Sequence, residues 1–192
     1  MDTDALYLIL TGLLCRSSPR LSSSWETLLT LNPSNPYTSV NMLYVIVNAY
    51  LQLLSILPPS LLGGVTLSRE TIEIVLNRDI GNSFGIWSTA DSNEDPEMLG
   101  YGIWPIASFF NHSCLPNVSK RRQGRKWSFS ASSSGDLPTV RTGTELCITY
   151  IRGEEDTLHV DERRRKLENG WGFTCQCQKC VYENAKEIEY ST

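Results

Sequence analysis

The chain has 192 residues, 41% of them hydrophobic and 20% charged, with a formal net charge of -4. It is long enough to bury a core, and its surface as a whole lacks the positive charge of a nucleic-acid binder. Asp2 and Asp4 stand where a secretory signal wants positive charge, so an intracellular protein is expected, in nucleus or cytoplasm.

The first 80 residues read as helical. Asp2 or Thr3 can cap a helix whose Leu6, Ile9, Leu10, Leu13 and Leu14 share a face. After the loop RSSPRLSSS, WETLLTL predicts a short helix that NPSNPY ends. A long helix is expected over Val40 to Leu57. Its oily run MLYVIVNAYLQLLSIL has 16 residues, includes Asn48 and Gln52, and stops at Pro58 and Pro59. That is too short and interrupted for a membrane span and predicts a largely buried helix, with no membrane partner. Ser68 can cap the next helix, with Glu70 in its first turn, Ile72, Val75 and Leu76 inward, and Gly81 as its stop.

Residues 81–152 change character. NSFGIW, WSFSA and TELCITY read as strands, with SSSGDLP as a turn or loop between the last two. In residues 153–192 a helix is expected from Asp161 to Asn169, with Gly170 in the left-handed position at its end. The class is α+β, and after the last helix the tail is expected to be held by a metal or hardly at all.

Six cysteines are present, three of them in CQCQKC at Cys175, Cys177 and Cys180. Their C-x-C-x2-C spacing fits one structural Zn2+ site in a reducing compartment better than a disulfide framework. Cys114 of NHSC is the expected fourth ligand and His112 its competitor. The two lie two positions apart in a non-helical segment, so one can face the metal without the other. Four thiolates would leave no open position for water, so the site would fasten the tail and not hydrolyse. Cys15 and Cys147 lie in apolar patterns and read as packed core residues.

With NSFGI (82–86), GYGIWPIASFFNHSCLPN (100–117), GTELCITY (143–150) and GFTCQCQKC (172–180) in this order, the chain resembles the later part of a SET-domain protein-lysine methyltransferase. The resemblance is to the branch in which a MYND zinc module accompanies a split SET domain. It implies a helical SET insertion over 1–80, a carboxy-terminal SET core over 81–152 and a post-SET zinc staple over 153–192, in all a partial SET β-fold. The glycine-containing first SET strands and the MYND cysteines are not found before Asp2, so a truncated form of the fold is expected.

The resemblance also implies S-adenosyl-L-methionine as cofactor, contacted by Asn82, Asn111, His112 and Phe173, with Phe173 against adenine. Tyr150 would border the lysine channel, where its ordinary pKa makes it an orienting group and not a base. The partner would be a lysine-containing protein, histone or non-histone. Ser113 and Asn117 would fix the chain crossing around Pro116. The other reading is a catalytically inactive, zinc-stabilised interaction module that uses the basic runs KRRQGRK (120–126) and RRRK (163–166); nucleic acid is not directly implied by either run.

Overall fold

A computed structural model of the chain describes residues 3–33, 40–57, 69–79, 81–88, 97–124, 126–131, 140–151 and 156–190. It divides into two units, Met1–Phe109 and Phe110–Thr192. The expected caps Asp2 and Ser68, the stops Pro58 and Pro59, and the turn SSSGDLP lie outside the described residues.

The first unit is built on helices α1 (Thr3–Ser17), α2 (Ser22–Thr30), α3 (Val40–Ile56) and α4 (Arg69–Leu76). Ile9 and Leu13 of α1 are buried with Leu28, Leu31, Ala49, Leu53, Ile72, Val75 and Leu76, which is the helical i, i+4 pattern working as expected. Leu14 is not part of that face and is 48% exposed. Gly12 sets the approach of α1 to α4, because a Cβ there would fall 2.7 Å from Val75 Cγ2. Close by, Arg16 Nη1 donates to Thr71 Oγ1 at 2.5 Å. Helix α3 is less buried than its composition predicts. Ala49 and Leu53 face the core, whereas Tyr44, Val47, Leu51, Leu54 and Ile56 are exposed. Among the described residues no helix is long and apolar enough to cross a membrane.

Helix α4 ends at Leu76, earlier than Gly81, which instead takes φ 91° on the way into strand β1 (Ser83–Trp87). Strand β1 pairs antiparallel with β2 (Met98–Ile103), Ser83 opposite Ile103, with a register shift between Ile86 and Trp87. A short 3-10 turn, Ala107–Phe109, closes the unit.

In the second unit, β3 (Asn111–His112) runs parallel to β6 (Cys147–Ile148), and β4 (Val118–Gln123) forms a hairpin with β5 (Lys126–Ala131). KRRQ is therefore strand, while TELCITY yields only two strand residues, because its partner β3 is itself two residues long before the chain bends toward Pro116. Helix α5 (Val160–Trp171) starts beyond His159, whose Nδ1 accepts from Asp161 N at 3.4 Å. It buries Val160, Arg163 and Leu167.

The end of α5 is at Gly172, not Gly170. Gly172 has φ 72° and its N–H donates to Glu168 O at 2.9 Å. The helix runs past Gly170 because Trp171 gains a ring contact with Tyr150, centroids 5.3 Å apart. The tail, for which no helix was expected, forms α6 (Gln178–Tyr190), which Arg164 Nη1 ties to α5 by donating to Asn184 Oδ1 at 3.4 Å.

The two glycines should respond oppositely to alanine in urea unfolding. Gly172→Ala should cost about 1 kcal/mol, since a Cβ disfavours positive φ even in open space. Gly170→Ala, inside the helix and facing open space, should gain about 0.5–1 kcal/mol.

Candidate functional site

The left-handed turn at Gly172 throws the chain out of α5 into an extended stretch carrying Phe173, Cys175 and Cys177, and Cys180 follows on the first turn of α6. Cys114 comes from the bend after β3, 61 residues earlier than Cys175. The sulfurs of Cys114, Cys175, Cys177 and Cys180 lie within 4.8 Å of one another, with Cys114 at 3.5 Å from Cys180 and 4.0 Å from Cys175. A tetrahedral zinc with Zn–S bonds of about 2.3 Å implies sulfurs about 3.8 Å apart. The donor set and its spacing fit that ion.

Sulfurs this close share protons. Cys177 is held well below the ordinary thiol range because Cys114 and Cys175 donate hydrogen bonds to it, helped by backbone N–H groups of Cys180 and Cys114. Cys114 is pushed far up by its hydrogen bonds with Cys175 and Cys177 and then by burial. For Cys175 a bond with Cys114 pulls down, but one with Cys177 and burial prevail, giving about 11. One thiolate is thus favoured at the expense of its neighbours, and a cation among them would let all four ionise.

His112 faces this cluster without joining it. Its Nδ1 accepts the backbone N–H of Tyr150 at 3.0 Å, so the ring proton sits on Nε2, which lies 3.3 Å from Cys114 Sγ. The imidazole therefore donates to the sulfur, and Cys114, not His112, completes the four-residue group. Burial pushes His112 down to about 4, against a rise from Cys177 and with smaller falls from Lys120 and Arg163. A neutral ring suits a donor between an N–H and a sulfur.

Tyr150 packs its ring on His112 (5.3 Å), Trp171 (5.3 Å) and edge-on to Phe173 (6.4 Å). Its hydroxyl donates to Phe110 O at 2.7 Å. Burial, then Cys147 and Glu145, raise its pKa to about 12, so the phenol keeps its proton near neutrality. The exposed Asn111 donates through Nδ2 to Glu145 Oε1 at 2.6 Å. His112 and Phe173 line a cavity of about 430 Å³ with Asn117, Glu145, Cys147 and Cys177, among others. Its size is within the range of small-molecule sites.

Asn117 is the clamp of this unit. Buried, it donates from Nδ2 to Glu145 O at 2.8 Å and accepts the Cys147 N–H at 2.8 Å. Ser113 has the smaller task of accepting the Leu115 N–H at 3.0 Å. Asn82 belongs to the first unit, where its Nδ2 donates to Asn32 O at 3.0 Å. Cys15 and Cys147 are half-buried and not core residues.

The basic runs are partly structural. Arg163, only 1% exposed, donates to Leu158 O at 2.5 Å, to Cys180 Sγ at 3.6 Å and to Glu183. Arg164 donates to Cys175 O at 3.2 Å, and Lys120 to Thr149 O at 2.5 Å. Sequence reading missed Arg163 by treating RRRK as one surface run. Its position between Val160 and Leu167, on the inward helical stripe, was the available signal.

No family model matches the chain. It is 36% identical over 132 residues to the "Potential protein lysine methyltransferase SET6" of Saccharomyces cerevisiae, covering 69% of this chain and 33% of that protein. It is 33% identical over 139 residues to the "Histone-lysine N-methyltransferase ASHR2" of Arabidopsis thaliana, covering 68% and 32%. A SET and MYND domain-containing protein of Dictyostelium discoideum is 30% identical over 111 residues, covering 58% and 25%. By sequence the chain is similar to SET-domain lysine methyltransferases, SET and MYND proteins among them. It matches a third or less of the length of these relatives. The motif segments NHSC, GTELCITY and GFTCQCQKC meet in one unit around the cavity and the sulfur cluster.

Asn117→Ala should leave the Cys147 N–H and the Glu145 carbonyl without their partner and cost about 2 kcal/mol or more in urea unfolding. Asn117→Asp, which keeps the acceptor, should lose less.

Proposed function

We propose that the chain forms part of a protein-lysine methyltransferase site that uses S-adenosyl-L-methionine, with a Zn2+ held by Cys114, Cys175, Cys177 and Cys180 as a post-SET staple. The observation that carries this reading is the two-ended bonding of His112, to Cys114 Sγ at 3.3 Å and to the Tyr150 N–H at 3.0 Å. It ties the candidate metal centre to the residue proposed to border the lysine channel.

S-adenosyl-L-methionine, when bound, supplies an electrophilic methyl group that a neutral lysine amine attacks in line. Phe173 is proposed to pack against its adenine, and Asn111 and His112 to line its pocket. Asn82 is proposed as a further contact on the strength of the NSFGI motif. Tyr150 orients the amine through its hydroxyl. The pKa raised to about 12 fits a group that holds its own proton and positions its neighbour, not one that removes a proton. The site would exclude bulk water with the rings of Phe173, Trp171 and Tyr150.

The proposed substrate is a lysine-containing protein inside the cell, where thiols stay reduced enough to hold metal. The domain reading stands with it: an insertion-like helical region over 1–80, SET core over 81–152 and post-SET region over 153–192. The inactive interaction module is the weaker reading, since the buried Arg163 is spent within the fold.

Purified chain should contain one zinc, and Cys175→Ser should lower both zinc content and melting temperature. Equal metal content and melting in the two proteins would refute the staple. In calorimetry the zinc-loaded chain should bind S-adenosyl-L-methionine, with Phe173→Ala weakening it about tenfold, or ~1.4 kcal/mol. Tyr150→Phe should spare binding and depress methyl incorporation into a lysine-containing protein. A folded, zinc-loaded chain that binds no cofactor would count against the methyltransferase reading.

A further inference from the structure

Four thiolates around Zn2+ carry a formal charge of minus two, and burying that charge is costly unless something offsets it. The sulfurs of Cys114, Cys175 and Cys180 are at residues no more than 2% exposed. The only buried charged residue among the described residues is Arg163, and its Nη2 is 3.6 Å from Cys180 Sγ. The guanidinium is held by groups on either side of its own helix in sequence: Leu158 O, before α5, accepts from Nη1 at 2.5 Å, and Glu183 of α6 accepts from Nη2.

We propose that Arg163 is the charge partner of the thiolate site, a positioning residue whose guanidinium offsets the excess negative charge and slows release of the metal, with Glu183 holding it in register. The proposal rests on the zinc reading above. It assigns a second task to a side chain that, on packing grounds alone, should have been a leucine or methionine: Val160 and Leu167, its neighbours on the same stripe, are both apolar and buried. Burying a guanidinium there is tolerable only beside anions. The carboxylate of Glu183 supplies one and the sulfurs supply the rest.

The alternative is that Arg163 merely fastens α5 to α6 through Glu183. The two roles predict different responses, because a charge partner acts on the sulfurs and a fastener acts through the carboxylate.

The test uses the full chain. Zinc content of the unaltered protein, by mass spectrometry of the metal, examines the zinc reading by itself; a folded protein without zinc sinks both ideas. Zinc transfer to a chromogenic chelator then examines Arg163. Arg163→Gln should release zinc about tenfold faster or more, in line with the loss expected when a partner of a metal ligand is removed, and Arg163→Lys should restore most of the difference. With Co2+ in place of Zn2+, Arg163→Gln should move the sulfur-to-metal charge-transfer band to lower energy, because a nearby positive charge lowers the sulfur lone pairs.

Glu183→Gln, whose amide oxygen can still accept from Arg163 Nη2 and so keeps it in register, should lower the melting temperature, leave zinc release no faster, and leave the cobalt band unmoved or at higher energy. Release accelerated as much by Glu183→Gln as by Arg163→Gln, or a band that does not move in Arg163→Gln, overturns the proposal. Should Arg163→Gln not fold, Arg163→Lys and Glu183→Gln still decide: slow release in both supports it, and fast release in Glu183→Gln refutes it.

Discussion

Sulfur atoms from Cys114 and from the CQCQKC segment crowd into a volume no wider than 4.8 Å, and their charge governs what can surround them. Thiolates repel one another, and each ionised sulfur needs a donor or a cation within reach. The surroundings answer that demand from three sides. His112 presents a neutral N–H, Arg163 presents a guanidinium, and Cys180 at the start of α6 presents a backbone N–H. Each of these groups is then fixed in turn, His112 by the Tyr150 N–H and Arg163 by Leu158 and Glu183.

From this centre the order spreads outward through directed bonds more than through oil. The second unit buries few large aliphatic side chains, chiefly Ile148, Ile151, Val160 and Leu167. The clamp by Asn117 therefore matters, since it holds β6 to the start of β4 by two hydrogen bonds at 2.8 Å. The first unit works differently. Its helices are joined by an apolar core and a close approach at Gly12, where packing volume and not charge decides the fit.

In the second unit the rings, the sulfurs and the cavity share residues. Phe173 and the cysteines Cys175 and Cys177 of the candidate metal anchor line one cavity, and Tyr150, which keeps its phenol proton, packs edge-on to Phe173. A staple of this kind would link metal occupancy to the shape of the proposed cofactor wall, because Phe173 lies two residues from Cys175.

Periodicity in the sequence located every described helix of the first unit to within a few residues, as well as NSFGIW and WSFSA as strands, since those patterns are local. The C-x-C-x2-C spacing singled out the three terminal thiols, and the NHSC motif named the fourth. Three features were beyond it. The extension of α5 to Gly172 depends on Trp171 finding Tyr150, 21 residues earlier in the chain. Helix α6 is too polar to announce itself and is fastened by Arg163 and Arg164. The direction of the hydrogen bond from His112 Nε2 to Cys114 Sγ depends on the Tyr150 N–H, 38 residues away, which takes Nδ1 as its acceptor. Spacing along the chain records which side chains can reach a site, but the direction in which a hydrogen bond runs is fixed only when both partners have been brought together in space.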